Sequence, residues 1–288
     1  GGPASVITGV TRILGVLGDP IGHTSSPAMH NAAIAAMGLD YAYVAFHVRP
    51  DALGSAIEGM RALQIAGLNV TVPHKQGVMA HLDEVSEEAV AIGAVNTVVN
   101  RQGRLVGYNT DAFGILESLK RDGGLERLPA QVALLGAGGA ARAILYALLE
   151  REEVERILLL NRTRSKAESL AGDLDRNGRV CVGEMDSSAV AEVDLLINST
   201  SVGMYPHEEG SPLVDPSVLH ANMLVADIVY KPLKTRLMKQ AEAAGARAIN
   251  GLGMLAWQGA RSFELWTGSS PPVDVMMAAA LERVKDGN

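Results

Sequence analysis

Cysteine is almost missing from this chain: Cys181 is the single thiol among 288 residues. One thiol cannot close an internal disulfide and cannot build a cysteine-cluster metal centre, so a reducing compartment is expected. Aromatic side chains are scarce as well, at 4% of the residues, which directs binding toward backbone rather than stacked rings. Cationic excess is also absent. Lys plus Arg number 25 against 32 Asp plus Glu, a net charge of −7, so the general attraction to a phosphate backbone that nucleic-acid binders need is lacking. No apolar run approaches the ~20 residues of a membrane span, and the N-terminal segment has no basic-then-apolar secretory pattern. A cytoplasmic protein with no nucleic-acid and no membrane partner is therefore expected. His23, His30 and His74 do not pair at i and i+4 with a nearby acid, so no metal is expected either.

What is present is an ordinary globular balance, 48% hydrophobic and 20% charged, over a length that suits about two domains of ~150 residues. Glycine stands out, with 31 residues against an average near ~7%. Short apolar, β-branched runs alternate with helical patterns, which predicts an α/β fold. Residues 13–17 read as the first strand, and Ser26-Pro27 as an N-cap followed by a proline that opens a helix ending at Gly38. Residues 41–48 and 68–72 are further strands, and between them Leu53, Ile57, Met60 and Leu63 recur at helical spacing. A polar helix is predicted over residues 81–91, then strands over 94–100 and 105–108 around the turn Arg101-Gln102-Gly103-Arg104. Asn109-Thr110-Asp111 caps the next helix, and a domain boundary is expected near Asp111. Beyond it, three strand-then-helix units start at residues 132–135, 156–160 and 194–198, and the apolar runs 224–229 and 246–249 extend the same sheet. From Met254 onward the pattern is helical, and this tail is expected to return to the first unit. The predicted division is 1–110 with 252–288 against 111–251.

Gly136-Ala137-Gly138-Gly139-Ala140-Ala141 follows an apolar strand and opens a helix. Glycines in that setting permit a tight turn and let backbone N–H groups approach a pyrophosphate, which rests on the positive end of the helix dipole. Glycine can also serve close packing alone, but a strand before and a helix after favour a nucleotide. Sites for NAD usually place an acid at the end of the next strand. Here Leu160 leads into Asn161-Arg162-Thr163-Arg164-Ser165-Lys166, with three cations and no carboxylate, which suits the 2′-phosphate of NADP. A solvated basic loop is the plainer alternative. Asn198-Ser199-Thr200-Ser201, at the end of the third predicted strand, either lines the cofactor crevice or caps local backbone.

Three uncharged polar clusters interrupt apolar surroundings: His23-Thr24-Ser25-Ser26, Asn69-Val70-Thr71 and Asn96-Thr97. With Lys75, Asp111 and Gln258 they suit a small polyhydroxylated acid. Each alone has a simpler reading, Ser26 as a helix N-cap, Asp111 as a first-turn acid and Lys75 as a surface lysine. Trp257 and Trp266 read as core or domain-seam residues.

Taken in order, these motifs resemble the shikimate dehydrogenase family from end to end. The likeness runs through Gly18-Asp19-Pro20-Ile21-Gly22-His23, Ser26-Pro27 with His30-Asn31, Asn69-Val70-Thr71-Val72-Pro73-His74-Lys75, Gly93-Ala94-Val95-Asn96-Thr97 and Gly107-Tyr108-Asn109-Thr110-Asp111. It continues in the glycine turn, Asn161-Arg162-Thr163, residues 198–204, and Asn250-Gly251-Leu252-Gly253-Met254-Leu255 with Gln258. The resemblance implies an α/β substrate domain joined to a Rossmann-type, doubly wound nucleotide domain, working as a monomer or homodimer. It also implies reversible reduction of 3-dehydroshikimate to shikimate with NADPH, a step of aromatic amino-acid biosynthesis. By that likeness Lys75 and Asp111 are the catalytic pair. Thr24, Ser26, Thr71, Asn96, Tyr230 and Gln258 would join that pair in holding the substrate. Gly136, Ala137, Gly138, Gly139, Ala140, Asn161, Arg162, Thr163, Arg164, Lys166, Thr200, Ile228 and Gly251 would hold the cofactor. A carboxylate beside a lysine favours the charged amine, so Lys75 is expected to donate a proton during reduction with Asp111 orienting it, and oxidation to quicken as pH rises.

Thr24 departs from the serine usual in the family: the hydroxyl survives, but the extra methyl narrows the pocket and leaves discrimination between shikimate and quinate open. A broad quinate/shikimate or an aminoshikimate dehydrogenase is thus the nearest rival reading. A non-catalytic NADP sensor on the same fold is a rival of another class. Retention of both Lys75 and Asp111 speaks against it.

Overall fold

Buried apolar strands alternating with helices build two six-stranded sheets, one in each of two units. The computed structural model describes residues 6–287. One unit takes the chain as far as Gly114 and again from Ala256, and the other takes Ile115–Leu255.

The first unit contains β1 (Arg12–Gly18), α1 (Ser26–Met37), β2 (Tyr41–His47), α2 (Leu53–Ala62), β3 (Gly67–Val70), β4 (Glu84–Val85), α3 (Glu87–Ile92), β5 (Thr97–Arg101), β6 (Arg104–Tyr108) and the first turn of α4 (Asp111–Arg121). Most of α8 (Leu252–Thr267) and all of α9 (Val273–Lys285) return to it. The sheet order is β2-β1-β3-β5-β6-β4. β1 runs parallel to β2 and β3, whereas β5 is antiparallel to both β3 and β6. The ends of β1, β3 and β6 and the start of β5 therefore share one edge, with Val16, Asn69, Thr97 and Tyr108 in register across it. Polar side chains just beyond those strand ends are brought together by topology.

Local chemistry departs from expectation at several points. Ser26 is the first helical residue of α1 rather than its cap; Ser25 occupies that position, in a helical conformation and without a side-chain cap bond. The helix is opened by Pro27 and closed by Gly38 at φ 63°. In α2, Leu53, Ile57 and Met60 are buried, but Leu63 lies past the last turn and is 76% exposed. The helix predicted over residues 81–91 does not form as one piece. Asp83 exchanges hydrogen bonds with Leu105, through both its carboxylate and its backbone N–H, and Ser86 N–H donates to Gly107 O, so this segment is drawn onto the sheet as β4. Ser86 then caps the short α3 by accepting from Ala89 N–H. The turn between β5 and β6 places Gln102 and Gly103 at φ 56° and 90°, the left-handed pair that matches strand twist in a two-residue hairpin.

The second unit carries β7 (Gln131–Leu135), α5 (Gly139–Leu149), β8 (Arg156–Leu160), α6 (Arg164–Leu174), β9 (Val180–Gly183), β10 (Leu195–Asn198), β11 (Leu224–Asp227), α7 (Arg236–Ala243) and β12 (Arg247–Ile249). All pairings are parallel, in the order β12-β11-β10-β7-β8-β9. This is the doubly wound arrangement, with its direction reversing between β7 and β10, where such sheets bind ligands outside the carboxyl ends. β9 was not foreseen, so the segment ending at Asn198 is the fourth strand and not the third. The reason is physical: β9 is a short edge strand whose four residues are all only half-buried, without the apolar run of a central strand.

Among the described residues no helix is long and apolar enough to cross a membrane, and no group of His, Cys, Asp and Glu is placed to hold a metal ion.

One core residue carries a pH liability. His30 on α1 is fully buried against the Tyr43 ring, with centroids 4.3 Å apart, and among the described residues neither ring nitrogen has a hydrogen-bond partner. Burial lowers its pKa from 6.5 to about 3. Because the unfolded chain takes up this proton first, His30 leaves stability intact above pH 6.5 and withdraws it as pH falls toward 3, by up to ~1.4 kcal/mol per pH unit. His30→Phe is expected to flatten that decline between pH 6 and 4, as read by denaturant unfolding. An unchanged slope in the variant would remove His30 as its source.

Candidate active site

Lys75 follows β3 and is fixed at the backbone, where its carbonyl accepts from Val95 N–H at 2.8 Å. Its side chain is only 13% exposed, so it is not a surface lysine, and Nζ donates to Asp111 Oδ2 at 2.7 Å. Asp111 is buried at the first position of α4, its N–H donating to Asn109 Oδ1 at 3.0 Å. A buried ion pair offsets its desolvation only where the remaining lone pairs find donors. Here Asn96 Nδ2 supplies one, donating to Asp111 Oδ1 at 3.0 Å.

Asn96 is itself held on both ends of its amide. Oδ1 accepts from Thr110 N–H at 2.8 Å and from the Thr97 hydroxyl at 3.0 Å, while Nδ2 lies 2.9 Å from Thr110 Oγ1 and 3.3 Å from Gln258 Oε1. Behind these hydroxyls sits Ser262, fully buried, with Oγ 2.7 Å from Thr97 Oγ1 and 3.1 Å from Thr110 Oγ1. Asn69 joins by donating to Ser262 Oγ at 3.2 Å and accepting from the Tyr43 hydroxyl at 2.7 Å. Lys75, Asp111, Asn96 and Gln258 are thus brought together. Ser262 escaped the sequence reading, although its place one helical turn after Gln258 puts both on one face of α8.

Thr71 emerges next to β1, its N–H donating to Leu17 O at 3.0 Å. Thr24 lies in the loop after β1, half-buried, and its Oγ1 accepts the N–H of buried Ser26 at 3.2 Å. All three leave the same sheet edge as Lys75. Tyr230 belongs to the other unit, in the segment after β11.

In the second unit, the turn between β7 and α5 fits a dinucleotide. Gly136 has φ 112°, and a Cβ there would strike Ser199 Oγ, whose hydroxyl donates to Leu135 O at 2.6 Å. Gly138 precedes α5 in extended backbone, with no side-chain cap and nothing within 4 Å of where its Cβ would be. Ala137, Gly139 and Ala140 flank it, and the first N–H groups of a helix have no intrahelical acceptor, which suits a pyrophosphate. Arg162 and Lys166 are exposed, and among the described residues neither has an ion-pair partner. Arg164 is placed differently: its guanidinium donates to Glu168 at 2.9 Å and Glu184 at 3.4 Å. Asn161 Nδ2 donates to Thr163 O at 2.9 Å, and Thr163 precedes the first turn of α6.

Thr200 does cap local backbone. Its N–H and hydroxyl both donate to Asn198 Oδ1, at 3.0 and 2.7 Å, and its Oγ1 accepts from Val202 N–H at 3.3 Å. Gly251 N–H donates to Val229 O at 3.1 Å, and a Cβ on Gly251 would run into the Ile228 carbonyl. That close approach explains the glycine and brings Ile228 and Gly251 together.

The two turn glycines make opposite predictions. Gly138→Val meets only open space, so it is expected to leave the melting temperature within about 2 °C while weakening NADPH binding at least ~10-fold, by occupying the approach to the helix N-terminus. Gly136→Ala, strained at positive φ, is expected to lower stability itself by about 1–3 kcal/mol. Thermal melts beside NADPH fluorescence titrations would separate them; unimpaired binding by folded Gly138→Val would count against the cradle.

Residues 16–98 match the family described as shikimate dehydrogenase substrate binding domain, residues 122–228 that of shikimate/quinate 5-dehydrogenase, and residues 251–281 the shikimate 5′-dehydrogenase C-terminal domain. The chain is 49% identical over 284 residues to the shikimate dehydrogenase (NADP+) of Symbiobacterium thermophilum, covering 96% of each. Among solved structures, it is similar to a shikimate dehydrogenase in complex with NADP+, at 41% identity and a TM-score of 0.93 over 99% of both chains. It is also similar to shikimate 5-dehydrogenase from Thermus thermophilus in complex with NADP(H) and shikimate, at 40% identity and a TM-score of 0.85, covering 94% of this chain and 99% of that one.

Proposed function

The chain belongs to the shikimate dehydrogenase family, and from that premise we propose that Lys75 and Asp111 move the proton in the NADP-linked interconversion of 3-dehydroshikimate and shikimate. It is an NADP-dependent oxidoreductase acting on a CH–OH group. The observation that carries the proton assignment is the buried 2.7 Å contact between Lys75 Nζ and Asp111 Oδ2, with Asn96 on the second carboxylate oxygen.

When bound, NADPH supplies the hydride that the ring carbonyl carbon accepts. Lys75, as the ammonium, hydrogen bonds the carbonyl oxygen and gives it the proton that makes a hydroxyl. Asp111 aims the ammonium and stabilises its charge. In the oxidative direction the same pair takes the proton back from the hydroxyl. Thr71, Asn96 and Gln258 hold the ring hydroxyls, and Thr24 and Ser26 hold the carboxylate. On the cofactor side, residues 136–140 with Thr200, Ile228 and Gly251 receive the dinucleotide. Asn161, Arg162, Thr163 and Lys166 receive its 2′-phosphate end, and Arg164 braces that loop through Glu168 and Glu184. A cytoplasmic setting suits a chain with one thiol.

Two measurements test this reading. Lys75→Ala is expected to lower kcat by about 10²–10⁴-fold, the range for a lost general acid, with a smaller change in KM for shikimate. Retained turnover with only weakened affinity would retire the proton assignment. Arg162→Ala is expected to weaken NADP about 10-fold or more and NAD little, since only NADP carries the group it forks onto. Equal weakening of both would remove Arg162 from the 2′-phosphate site.

A further inference from the structure

Asp227 ends β11 at 1% exposure and has no role in the site described so far. Its carboxylate is surrounded by donors. Oδ1 accepts from Asn198 Nδ2 and from Val229 N–H, both at 3.0 Å, and Oδ2 accepts from the Thr235 hydroxyl at 2.8 Å. Burial raises its pKa, and these three hydrogen bonds oppose that rise.

An ionised carboxylate can only accept, whereas a side-chain amide offers a donor on one side and an acceptor on the other. Asn198 must therefore turn its NH2 toward Asp227, which leaves Oδ1 facing the Thr200 N–H at 3.0 Å and the Thr200 hydroxyl at 2.7 Å. A flipped amide would set oxygen against carboxylate and donor against donor. The second bond to Oδ1 fixes Val229 between Ile228 and Tyr230, and the Val229 carbonyl in turn accepts from Gly251 N–H at 3.1 Å. The third arm is separate, since Thr235 accepts from Met238 N–H at 3.3 Å and so caps α7.

We propose that Asp227 is a positioning residue for NADP binding. By orienting the Asn198 amide and the Val229 backbone, it sets the two segments, after β10 and after β11, that carry Thr200, Ile228 and Gly251's partner carbonyl. This rests on the reading that those segments line the cofactor.

The test is an NADPH fluorescence titration of the full-length protein, read beside its thermal melt. Asp227→Ala and Asn198→Ala are each expected to raise the Kd at least ~10-fold, as for loss of a buried charge-assisted hydrogen bond. Their double variant is expected to be no weaker than the worse single, because both break one relay. Asp227→Asn keeps an acceptor oxygen for Asn198 and Val229, and it is expected to bind within about threefold of the parent. Thr235→Ala, which touches only the α7 arm, is expected to lower the melting temperature without moving the Kd. Folded Asp227→Ala with an unchanged Kd, Asp227→Asn as weak as alanine, or losses that multiply in the double variant would each overturn the proposal. If Asp227→Ala does not fold, Asn198→Ala and Asp227→Asn still decide it by the same criteria. Thr200→Ala with no effect on Kd would instead overturn the assignment of that loop to the cofactor, which is a distinct failure.

Discussion

Keeping a lysine and an aspartate together out of water is the constraint from which the first unit follows. Coulomb attraction alone rarely compensates for desolvation of two charges, so the second oxygen of Asp111 needs a donor that cannot drift. Asn96 is that donor, and its own amide is fixed at both ends by Thr97 and Thr110. Those hydroxyls in turn converge on Ser262. Each layer is uncharged and each is hydrogen-bonded, so the cost of burial falls outward through dipoles rather than through further ions.

The second unit solves a different problem, the reception of a polyanion without a matching excess of cations. With a net charge of −7, the chain would rely, on the function proposed above, on the N–H groups at the start of α5 and on Arg162 after β8 and Lys166 in the first turn of α6, which among the described residues have no ion-pair partner. Gly136, Gly138 and Gly251 are glycines in three different settings: positive φ, open approach and contact with a neighbouring carbonyl. Arg164 shows that proximity in sequence to such a site is not the same as availability, because two glutamates already hold its guanidinium.

Most of the architecture was legible because its strands announce themselves as apolar runs, and the glycine turn lay between a clear strand and a clear helix. The losses share one cause. β4 and β9 are too short and too exposed to show periodicity, and they exist because tertiary partners recruit them, Leu105 and Gly107 in the one case and β8 in the other. Lys75, Asp111, Asn96 and Gln258, which hydrogen bonds bring together, were read from the sequence as candidates. Ser262 and Asp227 were not: Ser262 looks like a small residue on a packed helix, and Asp227 is absorbed into an apolar strand run. What makes either matter is the geometry of its hydrogen bonds, to which a linear pattern is blind.

The return of α8 to the first unit also bears on how the protein is made. Asn96 meets Gln258 across 162 residues, Asn69 meets Ser262 across 193, and Val98 meets Trp266 across 168. A ribosome delivers the first sheet long before the helix that completes it, whereas the second unit is one uninterrupted stretch of chain. During synthesis, the nucleotide-type sheet can close while the earlier unit still lacks α8, which meets its sheet, and α9, which packs on α1. The half that emerges first is the half that must wait, and its unfinished apolar surface is where a chaperone would have the longest opportunity to bind.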